Sequence, residues 1–198
     1  MIRSKMLAEE ARSTYSSSKE FAYYHVHPEK TIPFQKGSDA RLNIKVNAQR
    51  TSKKAILLLF TEPYSAGARD SEKYVFPDLT KVQVTINGSP NMPDNEGIVS
   101  TDLWAEARRF LVKEKNKTEH INLKLFLARD KFGLLIDLRS MADRTMHSSG
   151  TRLVNTTDGV QLELERKATG SGNLNCQVFV ISDSQANIID SQLESVQY

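Results

Sequence analysis

KFGLLIDLRSMADRTMHSSG, residues Lys131 to Gly150, opens with strict alternation. Phe132, Leu134, Ile136 and Leu138 fall on one side, and Gly133, Leu135, Asp137 and Arg139 on the other. Successive side chains of an extended chain point to opposite faces, so period-two alternation over eight residues marks a β-strand with one buried face. After Arg139 the alternation stops, and a polar segment carries Asp143, His147, Ser148, Ser149 and Gly150. A strand that feeds a long polar loop, among several similar strands, points to a β-sandwich.

Similar stretches recur along the chain. Leu42, Ile44 and Val46 alternate with Arg41, Asn43, Lys45 and Asn47. Val82, Val84 and Ile86 alternate with Lys81, Gln83 and Thr85 and end at Asn87-Gly88, a dipeptide suited to a tight hairpin turn. Val160, Leu162 and Leu164 alternate with Gln161, Glu163 and Glu165. Cys176, Val178 and Val180 oppose Phe179 and Ile181, in the run Asn175 to Ser182. Ala55 to Phe60 is apolar on both faces, as expected of a central strand packed between layers. Ile32 to Phe34 is a short strand whose Pro33 suits a sheet edge, and Tyr23 to Pro28 is expected to turn the chain ahead of it. Thr61–Pro77, Pro90–Gly97 and Gly170–Gly172 read as loops, the last as a hairpin loop.

One helix is expected between the Val82 and Phe132 strands. Ser100, Thr101 or Asp102 can cap it, and Lys113 and Lys115 lie at its end, where the helix dipole favours cations. Leu103, Trp104, Ala107, Phe110 and Leu111 form its apolar stripe, with Trp104 anchoring it to the sheet. The cluster Ile121 to Leu127 fits either a helix or a strand. The expected fold class is therefore all-β, a jelly-roll β-sandwich with one or two inserted helices. Residues 1–24 are a polar lead-in, and residues 25–198 form a single jelly-roll domain.

Composition narrows the function classes. Twenty-seven basic residues against 24 acidic ones leave a net charge of only +3, too little to imply nucleic-acid binding. Arg50-Thr51-Ser52-Lys53-Lys54 and the alternating Lys113, Lys115 and Lys117 read as solvated loops or helix ends. The longest apolar run, Ala55 to Phe60, is far short of the ~20 residues that cross a bilayer, so no membrane contact is expected. The N-terminus has no apolar signal region, which places synthesis inside the cell. A lone cysteine, Cys176, excludes an internal disulfide and reads as a small buried hydrophobe.

The chemical candidates are few. Asp137, Asp143, His147 and Ser148 are the residues from which an acid–base or nucleophilic set would be drawn, but closeness in sequence is not triad geometry. No G-x-S-x-G elbow, phosphate-binding glycine loop, H-E-x-x-H or paired C-x-x-C occurs. The loop residues have structural uses instead: Asp143, Ser148 and Ser149 can bond turn backbone, and Gly150 can supply positive φ. His25 and His27 stand two apart on an extended segment, and two ligands do not make a metal site. No catalytic, cofactor or metal residues and no small-molecule substrate are expected.

Three passages together carry a resemblance. They are Lys81 to Asn91; Asp130 to Ser140 continuing through Met146 to Gly150; and Leu164 to Lys167 with Asn173 to Asp183. With the segment around Leu103-Trp104 and the Ala55–Phe60 strand, they resemble the C-terminal half of the double jelly-roll major capsid proteins of the Polinton (Maverick) and adintovirus type. The resemblance runs from about Phe21 to Ser182. It implies a structural protein: subunits of that family carry two jelly rolls side by side, three subunits make a pseudo-hexagonal capsomer, and no catalytic residue carries over. The chain corresponds to one barrel, and Met1 to Tyr24 to the end of a first barrel or an inter-barrel linker.

Two functional readings follow. In the first, the chain is a viral or transposon-derived capsid-type protein that self-associates through its barrel walls. A homotrimer or a contact with other capsid subunits is expected, in the virion, with Thr61–Pro77 and Pro90–Gly97 as contact or outward-facing loops. In the second, it is a host-reused jelly-roll module whose loops bind a carbohydrate or protein partner.

Overall fold

A computed structural model describes residues 19–36, 41–46, 52–63, 73–90, 98–99, 102, 132–139, 150, 159–169, 172–189 and 192–197. Ten strands lie among them: β1 (Lys19–Phe34), β2 (Arg41–Val46), β3 (Lys53–Thr61), β4 (Leu79–Ile86), β5 (Ser89–Pro90), β6 (Ile98–Val99), β7 (Gly133–Asp137), β8 (Val160–Arg166), β9 (Leu174–Ile189) and β10 (Gln192–Gln197). They form two antiparallel sheets. Sheet A runs β1-β9-β3-β7, with β10 also on β9; sheet B runs β2-β8-β4-β5, with β6 also on β4. The chain crosses from one sheet to the other between β1 and β2, β2 and β3, β3 and β4, β6 and β7, β7 and β8, and β8 and β9. This alternation is the wiring of a jelly roll.

The alternating sequence sets the core. β2 reads exposed, buried, exposed, buried along its length, and β8 follows the same rhythm. Leu42, Ile44, Val82, Val84, Leu162 and Leu164 of sheet B meet Ile56, Leu58, Leu134, Ile136, Val178 and Val180 of sheet A in one continuous buried cluster. At one end aromatic rings stack in series: Phe34 to Phe60, Phe60 to Phe132, and Phe132 edge-on to Phe76 at 4.9 Å between centroids. Asn87 (φ 50°) and Gly88 (φ 78°) both take the positive values that a two-residue hairpin turn demands, and they join β4 to β5 as expected.

Several expectations are corrected. The chain does not turn at Tyr23–Pro28: β1 is one strand of 16 residues, paired with β9 throughout, and it already includes residues 19–24. It absorbs its proline through a register shift between Pro28 and Lys30. β9 runs on past Ser182 to Ile189, where β10 joins it. The β7 strand is buried on both faces rather than one, because Leu135, Asp137 and Arg139 are covered as well as Leu134 and Ile136. Lys53 and Lys54 are not solvated loop residues; they open β3 and are 1% and 3% exposed. The far end of the Thr61–Pro77 segment is not outward-facing, since Val75 is buried and donates its N–H to the Phe60 carbonyl at 2.8 Å. The Gly170–Gly172 connection is not a hairpin, because β8 and β9 belong to different sheets.

The central-strand reading of Ala55–Phe60 holds, with β3 between β9 and β7. Among the described residues only Asp102 is helical. The expected helix beyond Asp102 and the Ile121–Leu127 cluster lie outside the described residues, as do most of Pro90–Gly97 and Lys113, Lys115 and Lys117.

Candidate functional site

Of the four acid–base candidates, Asp137 alone is among the described residues; Asp143, His147 and Ser148 lie outside them. Asp137 is engaged in the fold. Its Oδ1 accepts from the Arg139 backbone N–H at 3.0 Å and from Arg139 Nε at 2.9 Å, and Oδ2 accepts from Arg139 Nη2 at 2.6 Å. Both side chains are almost fully covered. The hydrogen bonds that Arg139 donates to Asp137 outweigh burial and hold the guanidinium pKa above its ordinary value. A carboxylate with these bonds is an internal counter-ion.

His25 and His27 stack at 6.1 Å between ring centroids on the same side of β1. Among the described residues no group of three or more His, Cys, Asp or Glu side chains comes together to hold a metal. Burial pushes the Cys176 thiol up to about 12, so at neutral pH it is a protonated, packed hydrophobe, as read from its strand position.

A polar knot ties the start of β3 to distant parts of the chain. Ser52 Oγ donates to Asp183 Oδ2 at 2.8 Å and accepts from the Gly150 N–H at 2.8 Å. Lys54 Nζ, its side chain nearly covered, lies 2.8 Å from Asp183 Oδ1 and 4.7 Å from the centre of the Tyr24 ring. Gly150 is a glycine because the backbone comes too close for anything larger: a Cβ there would land on the Lys53 carbonyl, and positive φ is not the reason. At the other end of the sandwich, buried Arg166 donates from Nη1 to the Phe34 carbonyl at 3.3 Å and from both terminal nitrogens to the Gly172 carbonyl at 3.2 Å. It also sits over the Phe34 ring. Burial lowers its pKa, with Asp78 acting against that. Arg166 of β8 fastens sheet B to β1 of sheet A, whereas the Ser52, Lys54 and Asp183 group ties β3 to β9 within sheet A. Sequence spacing gave no hint of either group, since their partners lie far apart along the chain.

The outer surfaces differ sharply. The outer side of sheet B presents Arg41, Asn43, Lys45, Gln83, Gln161, Glu163 and Glu165, with Arg41 reaching Glu165 at 3.3 Å. Asn43, Lys45, Thr85, Gln161 and Glu163 border a depression of about 180 Å³ there. That is below the usual size of a small-molecule site, roughly 300–1,000 Å³. The outer side of sheet A carries an apolar patch: Leu57 and Leu59 lie across Gly133, beside Leu135, Phe179 and Ile181, all half-buried or buried. Among the described residues, the large apolar side chains that stand clearly exposed are Tyr23 (39%), Tyr24 (45%) and Val26 (51%), all on β1.

This architecture, two antiparallel sheets with jelly-roll wiring and no described reactive cluster, defines a jelly-roll sandwich whose surfaces are the candidates for function. No protein-family model matches the chain, and no curated protein matches it. Solved structures do. VP54 of PBCV-1, in a crystal structure fitted into a reconstruction of the virophage Sputnik, is similar over 96% of this chain and 54% of its own, at 12% identity and a TM-score of 0.57. The mavirus major capsid protein gives 91% and 41% coverage at 6% identity and a TM-score of 0.49. The major capsid protein P2 of bacteriophage PM2 gives 84% and 45% at 9% identity and 0.41. The likeness to VP54 shows the fold. The chain spans about half the length of these proteins.

Proposed function

We propose that the chain is a capsid-type structural protein that associates through the walls of its jelly roll with copies of itself, as a homotrimer, or with other coat subunits, and that it works in the virion. The observation that carries this reading is the fold itself: a single jelly roll that aligns over 96% of its length with about half of VP54. Two features support it. The buried polar side chains Asp137, Arg139, Lys54 and Arg166 are spent on holding the fold together. The sequence passages that resemble the Polinton and adintovirus coat proteins include most of β4, all of β7, the end of β8 and much of β9, strands of both sheets. A viral or transposon origin and a non-enzymatic role belong to the same proposal.

Mass in solution tests it. A defined trimer or larger assembly at micromolar concentration is the expected outcome. A stable monomer whose melting temperature rises with an added glycan or peptide overturns it in favour of a binding module, with the sheet B depression as the first place to look.

A further inference from the structure

β1 is the terminal strand of sheet A, and among the described residues no strand runs along its outer edge. Long exposed strand edges are hazards that folded proteins blunt with proline, bulges or charge. The C-terminal half of β1 is blunted in this way, with Pro28, the register shift before Lys30, and Pro33. Residues 22–26, Ala-Tyr-Tyr-His-Val, hold no proline, carboxylate, lysine or arginine, and their Tyr23, Tyr24 and Val26 are the exposed large apolar side chains among the described residues.

The backbone orientation of this stretch is fixed by two independent observations. Asp183 donates its N–H toward β3, to the Ser52 carbonyl at 3.1 Å, so in the Tyr24–Asp183 pair the backbone groups point apart and those of Tyr24 face the sheet edge. Pro28 has no N–H to give to β9 and suits the same edge-facing side. Alternation then turns the N–H and C=O of Ala22 and Val26 to the edge as well.

We infer that residues 22–26 of β1 form an interface with the same residues of a second copy, pairing antiparallel about a two-fold axis at Tyr24. A two-fold normal to the sheet keeps each side chain on its own face and makes the contact self-complementary. Centred on Tyr24, it sets Ala22 opposite Val26 on the outer face and Tyr23 opposite His25 on the other. Small apolar meets β-branched apolar, aromatic meets aromatic, and no like charges face one another. The edge-facing groups of Ala22 and Val26 become hydrogen-bonded partners, and two five-stranded sheets join into one. Pro28 and the register shift stop the pairing at either end, which limits it to a closed dimer. The contact uses an edge rather than a wall, so it does not rest on the coat-protein reading.

The test is cysteine trapping with mass measurement on the full chain. Residues opposite one another in such a pair stand about 5.5 Å apart at Cα, within disulfide range. Tyr24→Cys is therefore expected to cross-link into a dimer under mild oxidation, whereas Val26→Cys, far from its own copy, is not; buried Cys176 stays out of the reaction. Val26→Lys is expected to weaken the dimer about tenfold, the change that two lost cross-strand pairs of this kind carry. Its melting temperature is expected to match wild type, since the side chain is exposed. Equal cross-linking by the two cysteine variants, or equal dimer content in wild type and Val26→Lys, overturns the inference. A trimer untouched by Val26→Lys sinks this contact alone, whereas a dimer lost on Val26→Lys with no larger assembly leaves the contact standing and counts against the coat reading.

Discussion

Asp137, the last residue of β7, and Arg139, two positions beyond it, clasp each other through three hydrogen bonds in a place water does not reach. Two charges so placed gain little over a well-packed apolar pair, but removing either one strands the other. Asp137→Ala is therefore expected to cost about 3–5 kcal/mol in urea unfolding. The double variant Asp137→Ala, Arg139→Leu is expected to recover most of that loss. A single-variant cost under about 1 kcal/mol contradicts the burial described for this pair.

Ile136 stands one position away on the opposite face, inside the core and 3% exposed. Ile136→Ala removes buried methylenes and leaves a void between the sheets, with an expected loss of about 2–5 kcal/mol in denaturant unfolding. A loss below about 0.5 kcal/mol would mean that the two faces of β7 have been assigned the wrong way round.

The glycines separate two kinds of requirement. Gly150→Ala places a methyl on the Lys53 carbonyl, backbone that cannot swing aside, and is expected to destabilise the protein by about 3 kcal/mol or more. Gly88→Ala meets no atom and suffers only from its φ of 78°, with an expected cost of about 1 kcal/mol. Thermal unfolding of the two variants side by side checks the order. Equal losses would remove the close approach of Gly150 to β3.

Cys176 gives a pH dependence with a definite sign. Its folded-state pKa of about 12 lies above the ordinary value of 9.0, so the native state holds its proton more tightly than the unfolded chain. The stability this confers is complete below pH 9 and is lost as pH rises toward 12. Between these limits Cys176 is expected to contribute a slope of about −1.4 kcal/mol per pH unit to the unfolding free energy. Cys176→Ala is expected to lack that slope. Alkylation at pH 8 is expected only at the rate of global opening; rapid labelling of the native protein contradicts the burial.

Much of the sandwich was legible in the sequence because pleating is a local property. Side chains two apart share a face, so the apolar series of β2, β4 and β8 named their own buried sides, and Asn87-Gly88 named its own turn. β1 was misread for the same local reason: it is an edge strand with an exposed face, so its pattern is irregular, and Pro28 looks like a stop until a register shift is known to absorb it. The candidate site was less legible still. Asp137 and Arg139 occupy the positions of a solvent-facing series, and Lys53-Lys54 has the composition of a loop.

What the sequence determined by itself was the fold class and the inward faces of most strands, because each follows from a repeat only a few residues long. The tertiary structure alone decided which strands became neighbours, and therefore which charges were covered. Ser52 meets Gly150 across 98 positions and Asp183 across 131, and Arg166 meets Phe34 across 132. The same long-range pairing left β1 at the margin of its sheet with Tyr24 and Val26 in the open. Burial of a polar group, or exposure of an apolar one, depends on what the rest of the chain brings against it, and no local pattern carries that information.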